Sequence, residues 1–301
     1  NLETRLHHNF AKYWVRGEWF LMDDDFVDKE LHDTITKFIE EQENSFDHFN
    51  KRQDLSLKLS NGNRRVASKT ELELHSKYID AKKENDELNA RSQIIKQKLM
   101  KALGKNGGVQ GVLELRKSTT PEKISPAKTM FSAAKFKSDY EDKYLEFVTT
   151  SLGNPKGSLL IKKTPPLSSF NASLREEEKK AKEECEKLKV ELFEGNVIDP
   201  NAKIKSLHEE YISLLGDIFN TALKMEEIKS ELSSLLGEDE AIEDVIEWKR
   251  KENKKEKFDS KAAQEKYPSE FKKCLIEIPE KITPEKSTFS IIIEMNREYP
   301  I

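Results

Sequence analysis

Three groups of residues in this sequence have types and spacings that could do chemistry. Glu3 stands four and five residues before His7 and His8, and imidazoles beside a carboxylate could serve a metal ion or a phosphate, with helix packing as the plainer alternative. Glu247-Trp248-Lys249 spells Glu-x-Lys on a predicted strand, where alternation puts both charged side chains on one face. A metal there would need an acidic partner from another strand. At the matching place earlier in the chain, Glu114-Leu115-Arg116 offers a guanidinium, which cannot readily act as a neutral base. A charged face opposite buried Val245, Ile246 and Trp248 is therefore the favoured reading. The third group is cationic: Lys249, Arg250, Lys251, Lys254, Lys255 and Lys257, matched earlier by Arg116, Lys117, Lys123 and Lys128. Such a row could track phosphates, losing affinity steeply as salt rises; a merely solvated loop is the competing reading. No Gly-rich phosphate loop, nucleophile elbow, Ser/His/Asp order or helical His-Glu-x-x-His occurs, so a metabolic enzyme acting on its own is not expected.

What must position these groups is visible in a self-similarity. His75-Ser76-Lys77-Tyr78-Ile79 aligns with His208-Glu209-Glu210-Tyr211-Ile212, Leu99 with Leu232, and Leu103-Gly104 with Leu236-Gly237, all at an offset of 133 residues. Val112–Lys117 then falls on Val245–Arg250, and at an offset of 127 Phe131 meets Phe258, Tyr140 meets Tyr267 and Tyr144 meets Phe271. The shared unit reads as helix, strand, helix, strand. A helix of about 30 residues ends at Gly104 or Gly237, the residue type that most easily leaves a helix through positive φ. A strand follows, 111–117 or 245–251; after a short helix comes a second strand, 158–163 or 274–278, stopped by Pro165 or Pro279. His75 and His208 share a helix face with Tyr78 and Tyr211, and their recurrence predicts a common structural hydrogen bond. Residues 172–194 are rich in opposite charges three or four apart and read as a solvated or coiled-coil helix.

Composition sets limits on partners. The chain has 301 residues, 36% charged and 36% hydrophobic, which suits elongated helical architecture more than one large globule. Lys+Arg 52 against Asp+Glu 56 leaves a net charge of −4, so any nucleic-acid contact must be local. No apolar run approaches a membrane span, the longest patch being Ile291-Ile292-Ile293, and no signal peptide is visible. Cys185 and Cys274 match no metal-ligand spacing and fit a reducing compartment. A start at Asn1 without Met is what a piece of a longer chain would show.

Two resemblances add to this. Glu3-x-x-Leu6-His7-x-x-Phe10, followed by Arg16-Gly17-Glu18-Trp19-Phe20, resembles the second half of a GIY-YIG nuclease-type domain of the bacteriophage DNA-binding branch. The resemblance implies that Glu3 would bind a divalent metal such as Mg²⁺. The family's GIY and YIG strands, its tyrosine and its arginine precede this segment and are not in the chain. The repeated unit resembles the helical C-terminal portion of YqaJ-type phage recombination exonucleases. It does so best in the second copy, through Val245-Ile246-Glu247-Trp248-Lys249, Phe258-Asp259-Ser260-Lys261 and Tyr267-Pro268; in the first copy Leu115 replaces the Trp and Ser132 the Asp. The catalytic residues of those exonucleases lie in a preceding domain not found here.

The expectation is a predominantly helical α+β protein with two tandem helix-strand-helix-strand units. A partial GIY-YIG-like module (1–62) would precede a first unit (63–170), a charged helical linker (171–195) and a second unit (196–301). The expected role is phage-related nucleic-acid association, by binding DNA or docking a recombination or nuclease partner. The alternative is a helical interaction scaffold or a phage-encoded inhibitor of a host protein. No complete catalytic site is expected; an upstream half would make the chain a metal-dependent endonuclease. Arg16, Arg116, Lys117, Lys249, Arg250, Lys251, Lys254 and Lys255 are the candidate nucleic-acid contacts, Glu3 is the candidate metal ligand, no membrane or small-molecule cofactor is expected, and the bacterial cytoplasm is the expected location.

Overall fold

Two helices of equal length form the spine: α2 (Lys69–Leu103) and α7 (Ala202–Leu236), each of 35 residues. Ser68 and Glu71 close a capping box at the start of α2, and the Asn201 side chain accepts from the Ile204 N–H at the start of α7. Both helices stop at glycines with positive φ, +64° at Gly104 and +62° at Gly237, which a side chain would oppose. At 1.5 Å per residue each is about 52 Å long. A computed structural model provides these coordinates and describes residues 6–7, 9–10, 13–16, 19–104, 106–191 and 196–294. The fold is α+β and predominantly helical.

The two helices run antiparallel, as their cores require. Leu74 and Tyr78 of α2 pack with Ile228, Leu232 and Leu236 of α7, while Ile95, Leu99 and Leu103 pack with Ile204, Leu207 and Tyr211. A flanking helix lies on each: α6 (Ala172–Glu191) on α2, and α1 (His32–Ser56) on α7. The segment read as a solvated or coiled-coil helix thus packs on its neighbour, burying Ala181 and Cys185 of α6. Leu55 of α1 likewise belongs to a core of the body, so the segment read as a separate module up to residue 62 contributes to it.

A four-stranded sheet covers each end of the helix pair. One has the order β3 (Arg64–Arg65), β11 (Ala241–Ile242), β12 (Ile246–Trp248), β9 (Leu159–Ile161); the other has β10 (Val197–Ile198), β4 (Gly108–Val109), β5 (Leu113–Thr120), β16 (Lys286–Ile293). In both, the first pair is parallel and the others antiparallel. Each sheet takes two strands from either side of residue 171. The units expected at 63–170 and 196–301 therefore do not each enclose their own core; they exchange strands, and both principal cores cross the boundary. The strands read as equivalent at 158–163 and 274–278 also take different places. The counterpart of β9 is the Ile291–Ile293 end of β16, each lying beside the central strand of its sheet.

From each sheet a two-stranded ribbon leaves the body. The shorter pairs β13 (Lys251–Phe258) with β8 (Val148–Lys156). The longer continues β5·β16 through β6 (Lys123–Ser125) with β15 (Lys281–Thr283), and β7 (Lys128–Phe131) with β14 (Leu275–Ile278). Both end in a small aromatic head made of α3 (Ala133–Asp139), α4 (Glu141–Leu145), α8 (Ser260–Lys266) and α9 (Pro268–Lys273). Its core holds Phe136, Tyr144 and Cys274 with Phe131, Val148, Phe258 and Tyr267. Phe131 stacks on Phe271 at 3.9 Å and Phe258 on Tyr144 at 4.6 Å, two contacts related by the offset of 127.

Candidate nucleic-acid interface

The shorter ribbon collects Lys251, Lys254 and Lys255 of the predicted cations. β8 and β13 together hold five lysines, Lys156, Lys251, Lys254, Lys255 and Lys257, against the glutamates Glu252 and Glu256, within a chain whose net charge is −4. Lys251, Lys255 and Lys257 are exposed and make no ion pair among the described residues. Lys255 stands opposite Ser151, and Lys257 opposite Thr149. The Thr149 hydroxyl donates to the Lys257 carbonyl at 3.3 Å, the Ser151 hydroxyl to the Lys255 carbonyl at 3.5 Å. Thr149 and Ser151 thus hold their hydroxyls against the backbone of the lysine strand, and both residues are exposed.

The other predicted contacts fare differently. Lys254 is exposed beside Glu252 at 3.0 Å, and Arg116 is exposed beside Glu114 at 3.0 Å, which raises its pKa through their hydrogen bond. Solvent screens exposed pairs of this kind, so a phosphate can compete for either cation. Lys117 is exposed on β5, with its backbone opposite Phe289. Lys249 reaches Glu240 at 3.1 Å. Arg16 lies on β1 (Trp14–Arg16), which pairs with β2 (Trp19–Phe20); its side chain lies outside the described residues.

Arg250 is a correction. It is 2% exposed, its Nη2 donates to the Gly237 carbonyl at 2.9 Å, and its guanidinium lies 4.5 Å from the Trp248 ring centroid. Its Nε and Nη1 have no partner among the described residues, and burial pushes its pKa down. This arginine fastens the end of α7 to the sheet and cannot reach a phosphate. Lys257, weighed with the basic row, is better placed than Arg250.

The Glu-x-Lys strand is also tied up internally. Glu247 pairs with Lys162 at 2.5 Å and with Arg64 at 3.8 Å, which holds its carboxyl below the ordinary range. Arg64 reaches Glu240 as well, at 3.4 Å, and Trp248 is buried. Among the described residues no three His, Cys, Asp or Glu groups come together as a metal site. Glu3 and His8 lie outside the described residues, and His7 packs edge-on against Phe20 at 5.0 Å. No reaction step through Mg²⁺ follows from this geometry.

The recurrent histidines do share a hydrogen bond. His75 Nε2 donates to the Lys162 carbonyl at 2.8 Å and His208 Nε2 to the Glu294 carbonyl at 2.6 Å, each tying a spine helix to the end of a sheet strand. Phe258-Asp259 and Tyr267-Pro268 prove architectural too: Asp259 caps α8, Pro268 opens α9, and Ser132 caps α3 where the first half lacks the Asp. No helix among the described residues is long and apolar enough to cross a membrane. No protein-family model matches the chain, and no curated protein or solved structure matches it either.

Proposed function

We propose that this chain is a phage-related nucleic-acid-associated protein built from two copies of one unit, which contacts DNA through its β13·β8 ribbon. The observation that carries this is the row of exposed ammonium groups at Lys251, Lys255 and Lys257, which make no ion pair among the described residues. Such a row supplies sequence-independent phosphate binding, released by counterions. Fluorescence anisotropy with labelled duplex and single strands tests it. Affinity should fall linearly on a log–log plot against salt, and Lys255→Ala and Lys257→Ala should each lower the slope by about 0.7–0.9. Binding that is absent at low salt, or insensitive to salt, overturns the reading. The scaffold alternative draws on Phe46 and Phe49, exposed on α1; a protein partner retained from host lysate after nuclease treatment would favour it.

A further inference from the structure

We infer that the shorter ribbon receives the phosphate backbone of a nucleic-acid duplex on one face only, and that Lys156 of β8 belongs to this contact while Lys254 does not; this rests on the nucleic-acid reading above. Residues directly opposite in an antiparallel pair share a face, and successive residues alternate between faces. Lys255 opposes Ser151, Lys257 opposes Thr149 and Asn253 opposes Gly153, so these lie together. Between Lys251 and Asn253 the register shifts: two steps along β13 are answered by three along β8, from Lys156 to Gly153. The extra residue is therefore on β8. Lys251 keeps the face of Asn253, and Lys156, its partner, stands there with it.

Side-chain contacts agree with this division. A Cβ on Gly153 would lie 2.8 Å from Asn253 Nδ2 and 3.1 Å from Lys255 Cε, so both side chains lean over that glycine on its own face. Glu252 pairs with Lys254 at 3.0 Å, and both alternate to the reverse face together with Glu256, which pairs with Lys137 at 3.6 Å. The charges of the ribbon are thus sorted. The reverse face neutralises its carboxylates with Lys254 and Lys137. The front face carries Lys156, Lys251, Lys255 and Lys257 with no carboxylate from either strand, and all four lysines are exposed. Toward the body Lys249 and Glu247 follow on the same alternation, but Lys249 is engaged with Glu240, and Glu247 with Lys162 and Arg64.

The same face selects between nucleic acids. Proteins that hold single strands stack the bases on aromatic rings beside their cations. Here the neighbours of the lysines are Thr149, Ser151, Gly153 and Asn253, while Phe258, the aromatic residue of these two strands, alternates to the reverse face and joins the head core. Without a ring to reward unstacked bases, the phosphate attraction decides. It favours the duplex, which carries one charge per about 1.7 Å of axis against about 3.4 Å for one strand. The row from Lys251 to Lys257 is about 20 Å long, about six base steps of a duplex. Four phosphate contacts give log–log salt slopes of about −3.6 with duplex and about −2.8 with single strand. Between about 1 M and about 0.05 M salt, those slopes separate the two ligands by about tenfold in affinity.

The test follows the anisotropy of a labelled duplex and of an oligothymidylate of equal length, each titrated with the whole chain across a salt series. The duplex should bind about tenfold more tightly at about 0.05 M salt. Lys156→Gln and Lys251→Gln should each lower the duplex slope by about 0.9, and Lys254→Gln should leave it unchanged, with circular dichroism checking that each variant folds. Single-strand binding as tight as duplex binding, a slope unmoved by Lys156→Gln, or an equal loss with Lys254→Gln overturns the one-faced duplex contact while leaving ribbon binding intact. No low-salt binding to either ligand overturns the nucleic-acid reading and this contact with it.

Discussion

Arg250 keeps its charge in a place that gives it one backbone acceptor and the face of Trp248. A methionine there would keep the packed stem and shed two unpartnered donors, so Arg250→Met should change stability by less than about 1 kcal/mol. Arg250→Ala opens a cavity over Trp248 and should cost about 2–3 kcal/mol in urea unfolding. Neither should alter the salt slope of DNA binding, in contrast with Lys255→Ala. Glu71 provides a second residue-scale test. Arg65 grips its carboxylate at 2.5 and 2.9 Å, and its pKa is lowered to about 2. Stability from this pair is complete above the ordinary pKa near 4.5 and disappears as pH falls through 2. It amounts to about 2–3 kcal/mol, and Glu71→Gln should remove that part of the acid dependence, as seen in denaturation midpoints between pH 5 and pH 2.

At the scale of elements, the root of the shorter ribbon depends on one close approach. A Cβ on Gly157 would lie 2.2 Å from the Lys249 carbonyl oxygen and 2.8 Å from its carbon. Both are backbone atoms and cannot swing aside. Gly157→Ala should cost about 1–3 kcal/mol, with faster amide exchange confined to β8, β13 and β9. His208→Ala, which leaves the Glu294 carbonyl without its donor, should cost a similar amount by the same measurement. Much of this level was legible in the sequence. The glycine stops, the histidine pair and the aromatic positions stand at fixed offsets because each serves the same local purpose twice. Arg250 was not legible: it sits among exposed lysines, and only the sheet's turn against the end of α7 buries it. Nor was the exchange of strands, since alternation locates a strand but not its partner. The basic ribbon was legible as charge, but its division between free and paired cations depends on Glu240, Glu252 and Glu114.

At the scale of the whole molecule, the two principal cores share α2 and α7 and must melt together. With Trp14 and Trp19 replaced by Phe, so that Trp248 is the remaining tryptophan, fluorescence and far-UV circular dichroism should give coincident body transitions. The head has its own small core and hangs on two ribbons. Its amides should therefore exchange through openings of lower free energy than those of α2 and α7; equal protection would show that the head is locked to the body.

The pairings His75–Lys162 and His208–Glu294, and the two ring stacks in the head, relate the halves by an approximate two-fold rotation. An axis running from spine to head would make the molecule look the same when turned over. The unequal arms, where the offset drops from 133 to 127 residues, spoil that equivalence. They make the two ribbons distinct surfaces, so a ligand that suits one does not by symmetry suit the other.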